Sequence, residues 1–582
     1  MKKIILFIVA ILVAILVLGS AAIAINLGGA RSASLAAIGD EHRNDLIAFT
    51  SGLNQRQYDT ADLAPMPYTG MNPVGVNTFL EQEPDVSKRR ETLQMIKDAG
   101  IGWIRQQFPW EDIEEPAKGQ YIDTKYNQSS WAKYDNIVQL AHEYGIQVIA
   151  RLDLPPHWAH PGNDWAATPP DNLNDYGDFV YAVVSRYKGK IKYYQLWNEP
   201  NLYTEWGKKP VDAKQYVQLL KIGYERAKEA DPNCVIISAA LAPTIEQSPQ
   251  ALDDRIYLQQ MYDAGAKPYF DIMSVMAYGL RSGPYDRRLN LNDVNFSRPI
   301  LTREIMVKNG DADKPIWASE MGWDAQPASV KAPPVFGQVS EELQARYTVQ
   351  AFQRAAEEWP WMGVMNIWFF KRADDHEKDQ PFYYFQMVSP DFKPRPLYQA
   401  VKEMTKQPAV LDLGHSWADN RALTYQGSWQ STTLPNGEIR MSTSQTGATL
   451  SFEFKGNDLT AIAPEGNGLG SADVIIDGRA VMSSMLPRDA SGQAVLRLQA
   501  QHPIAETQIP ITNGLLNDVH RVEIKTKGPF AVDGFIVDVH GPTTSWWLIA
   551  SFMLVALPIV TGITLIIVLR RRRGRQSQHS YS

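Results

Sequence analysis

The sequence predicts an α/β protein in which a (β/α)8 TIM barrel is followed by an antiparallel β-sandwich, with a membrane-spanning segment at each end. Three observations lead to this architecture. Short apolar runs alternate with amphipathic stretches up to about residue 405, strand-like runs without helices follow, and both termini carry long apolar segments. A chain of 582 residues is long enough for two or three such folded units.

Eight almost continuously apolar runs are the predicted barrel strands, because strands buried on both faces have this composition. They are GVNTFL (75–80), IGWIRQQF (101–108), IQVIARLDL (146–154), IKYYQLW (191–197), VIISAAL (235–241), DIMSVMAYG (271–279), PIWASEMGW (315–323) and GVMNIWFF (363–370). Amphipathic helices are predicted between them, the clearest over residues 212–230, where Asp212 and Gln215 resemble a capping box. The pattern predicts a barrel over residues 70–405.

A doubly wound open sheet is the alternative to the barrel, because periodicity alone does not show that a sheet closes. No glycine-rich phosphate loop follows the first strand, which makes this alternative weaker. Over residues 410–540 the pattern changes to alternating strands bounded by Gly, Asn and Asp, as in ATLSFEFKGNDLTAIA and HRVEIKTKG. This part is predicted to be a separate β-sandwich that binds carbohydrate or acts as a spacer.

Both ends of the chain are predicted to meet a membrane. Residues 1–26 read as a signal anchor or a cleaved signal peptide, and residues 27–69 read as a linker. Residues 546–569 read as a transmembrane helix that begins with two tryptophans, and the basic residues 570–582 read as a cytoplasmic tail. The charge pattern predicts a plasma-membrane protein whose barrel lies outside the cytoplasm.

The composition argues against several classes of function. A net charge of −7 disfavours nucleic acid as a partner, because binding to phosphates needs a basic surface. The single cysteine, Cys234, opens an apolar run and is predicted to be a buried, inert thiol. No spacing of His, Cys and carboxylates indicates a metal site, and no cofactor is expected. The 16 tryptophans fill the core or serve as platforms for sugar rings.

Two glutamates stand where predicted strands end. Glu199 follows the fourth run in WNEP, and Glu320 ends the seventh run in WASEMGW. Because barrels of this kind place their chemistry at the carboxyl ends of the strands, we expect both side chains to face one mouth. A pair of carboxyl groups in one site is what cleavage of a glycosidic bond requires, with one acting as acid and one meeting the anomeric carbon.

The residues around these glutamates resemble those of clan A glycoside hydrolases, with the best match to family 39 and its uncharacterised bacterial relatives. The matching motifs are WNEPN (197–201), SE (319–320) and IWFF (367–370). The resemblance covers about residues 70–405 and implies that Glu199 is the acid/base and Glu320 the nucleophile of a retaining enzyme. The sandwich resembles galactose-binding-like modules through YQGSW (425–429) and DVIIDG (473–478).

Retention implies carboxyl groups about 5 Å apart. At that separation two negative charges repel by roughly 3 kcal/mol, or about two pKa units, at an effective dielectric near 20. One carboxyl group therefore keeps its proton at neutral pH while the other is ionised.

Six further residues are expected to bind substrate or to support the pair. Arg105 is expected to hold Glu320 ionised, and Tyr278 to donate a hydrogen bond to it. Asn198 is expected to bind the sugar 2-hydroxyl group. Trp368 is expected to lie beneath the sugar ring. His157 and Trp158 are expected to line the entrance of the site.

The predicted function is therefore an extracytoplasmic, membrane-tethered retaining β-glycosidase that acts on a polysaccharide or glycoconjugate. Two alternatives fit the same residues. One is a barrel that binds surface glycans without cleaving them, and the other is a transglycosylase. The identity of the sugar and the choice between endo and exo action depend on loop residues that the sequence does not place.

Overall fold

Eight parallel strands close into a barrel in the computed structural model, which describes residues 57–435, 437–481 and 485–539. The strands are β1 (Val74–Thr78), β2 (Trp103–Pro109), β3 (Gln147–Asp153), β4 (Tyr193–Leu196), β5 (Val235–Ile237), β6 (Met273–Tyr278), β7 (Ile316–Gly322) and β8 (Met362–Ile367). Their hydrogen-bonded order is β5-β4-β3-β2-β1-β8-β7-β6. Parallel bridges from Ile237 to Ile272 and from Leu241 to Val275 join the two ends of this sheet, so the open-sheet alternative is excluded.

One helix of at least ten residues follows each strand and packs on the outside of the ring, and a short helix, Trp110–Ile113, also follows β2. The helices are α1 (Val86–Asp98), α2 (Trp131–Tyr144), α3 (Leu173–Tyr187), α4 (Ala213–Ala230), α5 (Asp254–Asp263), α6 (Pro299–Lys308), α7 (Glu341–Glu358) and α8 (Pro396–Thr405). The Asp212 side chain caps α4 by accepting hydrogen bonds from the backbone of Lys214 and Gln215. Tyr216 and Leu220 of α4 are buried. The helix is thus fixed at its start and along one face.

The amino-terminal end of the barrel is filled by three aromatic rings. Trp103, Tyr193 and Trp317 lie 5.0–5.2 Å apart between ring centroids and are almost fully buried. The indole of Trp317 donates a hydrogen bond of 2.9 Å to the Tyr68 carbonyl. The described part of the predicted linker, residues 57–69, therefore covers this end, since the Arg303 guanidinium also donates to the Thr60 carbonyl.

The carboxyl-terminal unit consists of antiparallel sheets around a second apolar core. Its strands are β9 (Gly414–Trp417), β10 (Thr424–Gln426), β11 (Gln430–Thr433), β12 (Ile439–Thr443), β13 (Thr449–Gly456), β14 (Asp458–Glu465), β15 (Ser471–Ile476), β16 (Arg479–Ala480), β17 (Val495–Arg497), β18 (Ile504–Thr512), β19 (Asp518–Thr526), β20 (Phe530–Val532) and β21 (Gly534–Asp538). The Arg421 amide donates to the Gly70 carbonyl, and Lys455 pairs with Glu357 at 2.5 Å. The sandwich thus meets the barrel at the amino-terminal end of its strands.

The membrane-spanning segments of the fold prediction require a correction. Among the residues placed by the structure, no helix is long and apolar enough to cross a membrane. The longest helices, α4 and α7, have 18 residues each and are amphipathic with several charges, whereas crossing takes about 20 mostly apolar residues. The two segments for which spans were predicted, residues 1–26 and 546–569, lie outside the described residues, as does the predicted basic tail.

Candidate active site

Glu199 and Glu320 both lie at the carboxyl-terminal mouth of the barrel. Glu199 follows β4 and is partly buried, and Glu320 lies in β7 with 6% of its surface exposed. Burial raises the pKa of Glu199 well above its usual value, and the negative charge of Glu320 is the next largest cause. The two carboxyl groups are therefore near enough to influence each other's charge.

Each oxygen of the Glu320 carboxylate receives a hydrogen bond from a different strand. Arg105 Nη1 of β2 donates to Oε1 at 2.8 Å, and the Tyr278 hydroxyl of β6 donates to Oε2 at 2.6 Å. Burial, followed by the charge of Arg151, lowers the pKa of Arg105 to about 10, so this guanidinium is still charged at neutral pH. Burial beside Glu320 raises the pKa of Tyr278, so its hydroxyl stays a donor. The two donors hold the Glu320 carboxylate in a fixed orientation.

A β-bulge in β7 turns Glu320 toward the site. Relative to both neighbouring strands, β7 has one extra residue between Ala318 and Met321. Consecutive side chains of a regular strand face opposite sides, but here Ser319 and Glu320 both contact residues of the barrel interior. Ser319 Oγ accepts a hydrogen bond of 2.7 Å from Gln195 Nε2, while Glu320 contacts Arg105.

Arg105 is the centre of the hydrogen-bond network below the carboxylates. Besides Glu320, it donates to Gln195 Oε1 at 2.7 Å, to Asn77 Oδ1 at 2.8 Å and to Asn198 Oδ1 at 2.8 Å. Sequence reasoning missed Asn77 and Gln195, although each is a polar residue inside an apolar strand and could have been noticed for that reason. The network joins β1, β2, β4 and β7, so it fixes their positions relative to one another.

The backbone before and at Glu199 has an unusual conformation. Trp197 has a φ of 79° and Glu199 a φ of 39°, in a region that residues other than glycine rarely occupy. The Glu199 amide donates to the Ala240 carbonyl, and the Asn198 amide group is oriented because its Oδ1 faces Arg105. The WNEP turn thus presents two adjacent side chains to the mouth.

The three predicted ring-bearing residues have different surroundings. Trp368 follows β8, is partly buried, and contacts Phe79 edge-on at 5.6 Å. The His157 side chain is 63% exposed and lies 3.6 Å from Asp164. Trp158 donates to the Glu114 carbonyl and packs on a buried tryptophan. Neither His157 nor Trp158 has a contact with Glu199 or Glu320 among the described interactions.

Further charged groups surround the pair and were not predicted. Arg151 and Asp153, at the end of β3, form an ion pair of 2.8 Å. Burial raises the pKa of Glu81 to about 6 and that of Glu205 to about 7. The alternation of charges in RLDL at the end of a predicted strand was the available signal for the first two, whereas Glu205 carried no signal beyond its closeness to WNEP in the sequence.

Metal ligation and thiol chemistry have no candidate group within the part of the chain that the structure describes. No three His, Cys, Asp or Glu side chains there are arranged to hold a metal ion. Cys234 is buried, and burial raises its pKa to about 11, which keeps the thiol protonated.

Comparison with protein families identifies the class of the barrel. Residues 64–253 match the family model of Cellulase (glycosyl hydrolase family 5). The barrel is a glycoside hydrolase domain, as the resemblance in the sequence implied.

A curated relative matches a short part of the chain. It is the Beta-glucosidase-like SFR2, chloroplastic, of Oryza sativa subsp. japonica, which is 27% identical over 114 residues. The match covers 19% of this chain and 17% of that protein.

The chain is also similar to solved structures. A family 39 glycoside hydrolase from the gut symbiont Bacteroides cellulosilyticus WH2 is 18% identical, with a TM-score of 0.44 and coverage of 81% of this chain and 82% of that chain. A family 39 β-xylosidase from Caulobacter crescentus is 13% identical, with a TM-score of 0.42 and coverage of 81% and 98%.

Proposed function

We propose that the barrel hydrolyses β-glycosidic bonds of a carbohydrate with retention of configuration, with Glu320 as nucleophile and Glu199 as acid/base. The observation that carries this proposal is that two carboxyl groups at one mouth of the barrel have different surroundings. Glu320 accepts a hydrogen bond on each oxygen from a different donor, whereas burial and the charge of Glu320 raise the pKa of Glu199 and so favour its protonated form.

The first step forms a covalent intermediate. Glu199 gives its proton to the glycosidic oxygen while an oxygen of Glu320 attacks the anomeric carbon, so the bond to the leaving alcohol breaks and an ester bond forms. Arg105 and Tyr278 hold the attacking carboxylate in place. Asn198 is proposed to bind the sugar 2-hydroxyl group, and Trp368 to lie beneath the ring.

The second step regenerates the enzyme. Once Glu320 is esterified its negative charge is gone, so the pKa of Glu199 falls and its carboxylate can take a proton from water. The resulting hydroxide attacks the anomeric carbon from the side that the leaving group occupied, and the ester bond to Glu320 breaks. Two inversions at this carbon give net retention.

Chemical rescue with azide tests these roles. The substrate is a 2,4-dinitrophenyl β-glycoside, chosen from a panel of glucosides, xylosides, galactosides and glucuronides. In Glu199→Ala, azide occupies the space of the lost carboxyl group, attacks the intermediate and gives a β-glycosyl azide. In Glu320→Gly, azide replaces the nucleophile and gives an α-glycosyl azide. The anomer formed therefore identifies which glutamate has which role.

The matched control is Glu342→Ala, which removes an exposed carboxylate on α7 and is expected to keep full activity without azide products. An exchange of the two anomers would reverse the assigned roles. Absence of wild-type activity on every glycoside of the panel, together with natural β-glucans and xylans, would contradict the proposal and favour a barrel that only binds glycans.

A further inference from the structure

Glu205 is a carboxylate at the same mouth for which the two-glutamate mechanism has no role. It ends a one-turn helix, Tyr203–Glu205, six residues after Glu199. Hydrogen bonds hold this turn to the WNEP turn, because the Trp197 indole donates to the Glu205 carbonyl at 3.0 Å and the Leu202 amide donates to the Glu199 carbonyl at 2.9 Å. These two hydrogen bonds fix the backbone of Glu205 relative to that of Glu199.

The Glu205 turn is also fastened on its outer side. The indole of Trp165, which lies in the loop after β3, donates to the Thr204 carbonyl. The buried Trp206 packs against Trp197 with 5.7 Å between the ring centroids. With contacts on both sides, the turn has little freedom to carry Glu205 away from the mouth.

The Glu205 side chain faces charged and polar groups from three elements. From β3, Arg151 attracts its negative charge and Asp153 repels it. From the WNEP turn, Asn198 donates a side-chain hydrogen bond to it, and from β7 the charge of Glu320 repels it. Burial is the largest influence and raises the pKa of Glu205 to about 7, so this group changes charge near neutral pH.

The charge of Glu205 acts in turn on Glu199. After burial and Glu320, Glu205 is the next cause that raises the pKa of Glu199, ahead of the opposing effects of Arg105 and Arg151. Glu205 therefore influences the protonation of Glu199 through its charge. As the pH rises, ionisation of Glu205 makes loss of the proton from Glu199 more difficult.

We infer that Glu205 is a positioning residue for the acid step, whose negative charge keeps the proton on Glu199 and so extends activity toward higher pH. The inference rests on the proposed function. Glu205 needs no contact with the reacting atoms for this role, since it acts through the proton of its neighbour. Its removal is expected to matter only when the leaving group must be protonated.

The test uses Glu205→Gln, which keeps the shape and the acceptor for Asn198 but has no charge. We expect the basic limb of the profile of kcat/KM against pH to move down by about one pH unit, because loss of a nearby unit charge at an effective dielectric near 20 has roughly this effect. Above the new limb, activity on an alkyl β-glycoside falls about tenfold. Activity on a 2,4-dinitrophenyl β-glycoside stays within about twofold, because that alcohol leaves without a proton.

A second measurement does not depend on turnover. Infrared difference spectroscopy follows the protonated carboxyl band that is absent in Glu199→Gln, and its midpoint is expected to fall by about one pH unit in Glu205→Gln. The control Glu342→Gln changes an exposed carboxylate. It should shift neither the basic limb of the kcat/KM profile nor the midpoint of the carboxyl band.

An unmoved or raised midpoint, or an equal loss of activity on both leaving groups, would overturn the inference. Inactive wild-type enzyme with a lowered midpoint would instead contradict the proposed function and leave the influence of Glu205 on Glu199 established. The two failures are therefore distinguishable.

Discussion

Two layers inside the same barrel have opposite chemistry. Toward the amino-terminal ends of the strands, Trp103 of β2 and Tyr193 of β4 pack ring against ring. Two residues further along the same strands, and therefore on the same inward face, Arg105 and Gln195 form a hydrogen bond of 2.7 Å. The interior changes from apolar, with three aromatic rings, to charged within one layer of side chains.

The difference separates what stabilises the barrel from what equips it for chemistry. The aromatic layer removes a large apolar surface from water, and both of its indole N–H groups donate to backbone carbonyls. The polar layer has a desolvation cost that only complete hydrogen bonding offsets. Substitutions in the aromatic layer should therefore lower mainly the stability of the protein, whereas substitutions in the polar layer should lower mainly its catalytic activity.

The largest effect is expected for Arg105→Lys in the polar layer. One ammonium group cannot replace four hydrogen bonds from a planar guanidinium, so Glu320 and Asn198 lose their common donor. We expect kcat on an aryl β-glycoside to fall roughly 10³-fold, the size typical of losing a key electrostatic contact. Arg90→Lys, at an exposed ion pair on α1, is the control and should not change kcat. A decrease of less than fivefold in Arg105→Lys would contradict the role of the network.

The aromatic layer is tested by Trp317→Ala. Trp317 is 1% exposed, and the substitution leaves a cavity between two other rings, so the free energy of unfolding should fall by about 3–5 kcal/mol. The kcat of the remaining folded protein should change little. Trp368→Ala, at the opposite end of the barrel, is the matched variant. It should lower kcat strongly and change the free energy of unfolding less than Trp317→Ala does. Denaturant unfolding and steady-state kinetics measure both properties in both variants. A large loss of kcat in Trp317→Ala together with a large loss of stability in Trp368→Ala would contradict the separation of the two layers.

Tyr278→Phe removes one donor from the Glu320 carboxylate and leaves Arg105 in place. A hydrogen bond to a charged group contributes about 1.5–3 kcal/mol, so kcat should fall about 10- to 100-fold without a large change in KM. Tyr126→Phe, at an exposed ring, is the control. If KM rises while kcat is unchanged, Tyr278 binds substrate rather than the nucleophile.

The smallest expected effect concerns Asp324, which is fully buried just beyond β7. Burial raises its pKa to about 7 from an unfolded value near 4, so ionisation makes folding less favourable as the pH rises from about 4 to about 7. Asp324→Asn lacks this penalty. It should gain on the order of 2 kcal/mol relative to wild type between pH 5 and pH 8.

Thermal or urea unfolding at the two pH values measures this difference in Asp324→Asn. The exposed Asp164→Asn serves as the control. A relative stability of Asp324→Asn that does not change with pH would show that the ionised carboxylate has compensating contacts.

The sequence was sufficient for features that depend on periodicity and on strand ends. All eight predicted runs contain strands of the ring. Arg105, within β2, and Tyr278, at the end of β6, both donate to Glu320 as expected from the sequence. The bulge in β7 could not be predicted, since it depends on how two neighbouring strands pair with Ser319 and Glu320. Asn77 was also missed, although its position as a polar residue inside an apolar run was visible in the sequence.

Contacts that depend on the course of loops also could not be predicted from the sequence. Pattern alone did not show that the sandwich contacts the end of the barrel away from Glu199, through Arg421 and Gly70. Nor did it show that Glu205, which follows the WNEP turn by only a few residues, turns back toward Asn198. Both depend on loops whose course is set by packing.

The stereochemistry of hydrolysis tests the pairing of Glu199 with Glu320 most directly. Wild-type protein is mixed with an aryl β-glycoside, and proton NMR follows the anomeric signals of the released sugar before mutarotation. The account predicts that the β-anomer appears first and that the α-anomer accumulates only later by mutarotation. Initial release of the α-anomer would mean that water attacks directly, as it does when carboxyl groups lie about 6.5–9.5 Å apart, and would contradict a nucleophilic Glu320.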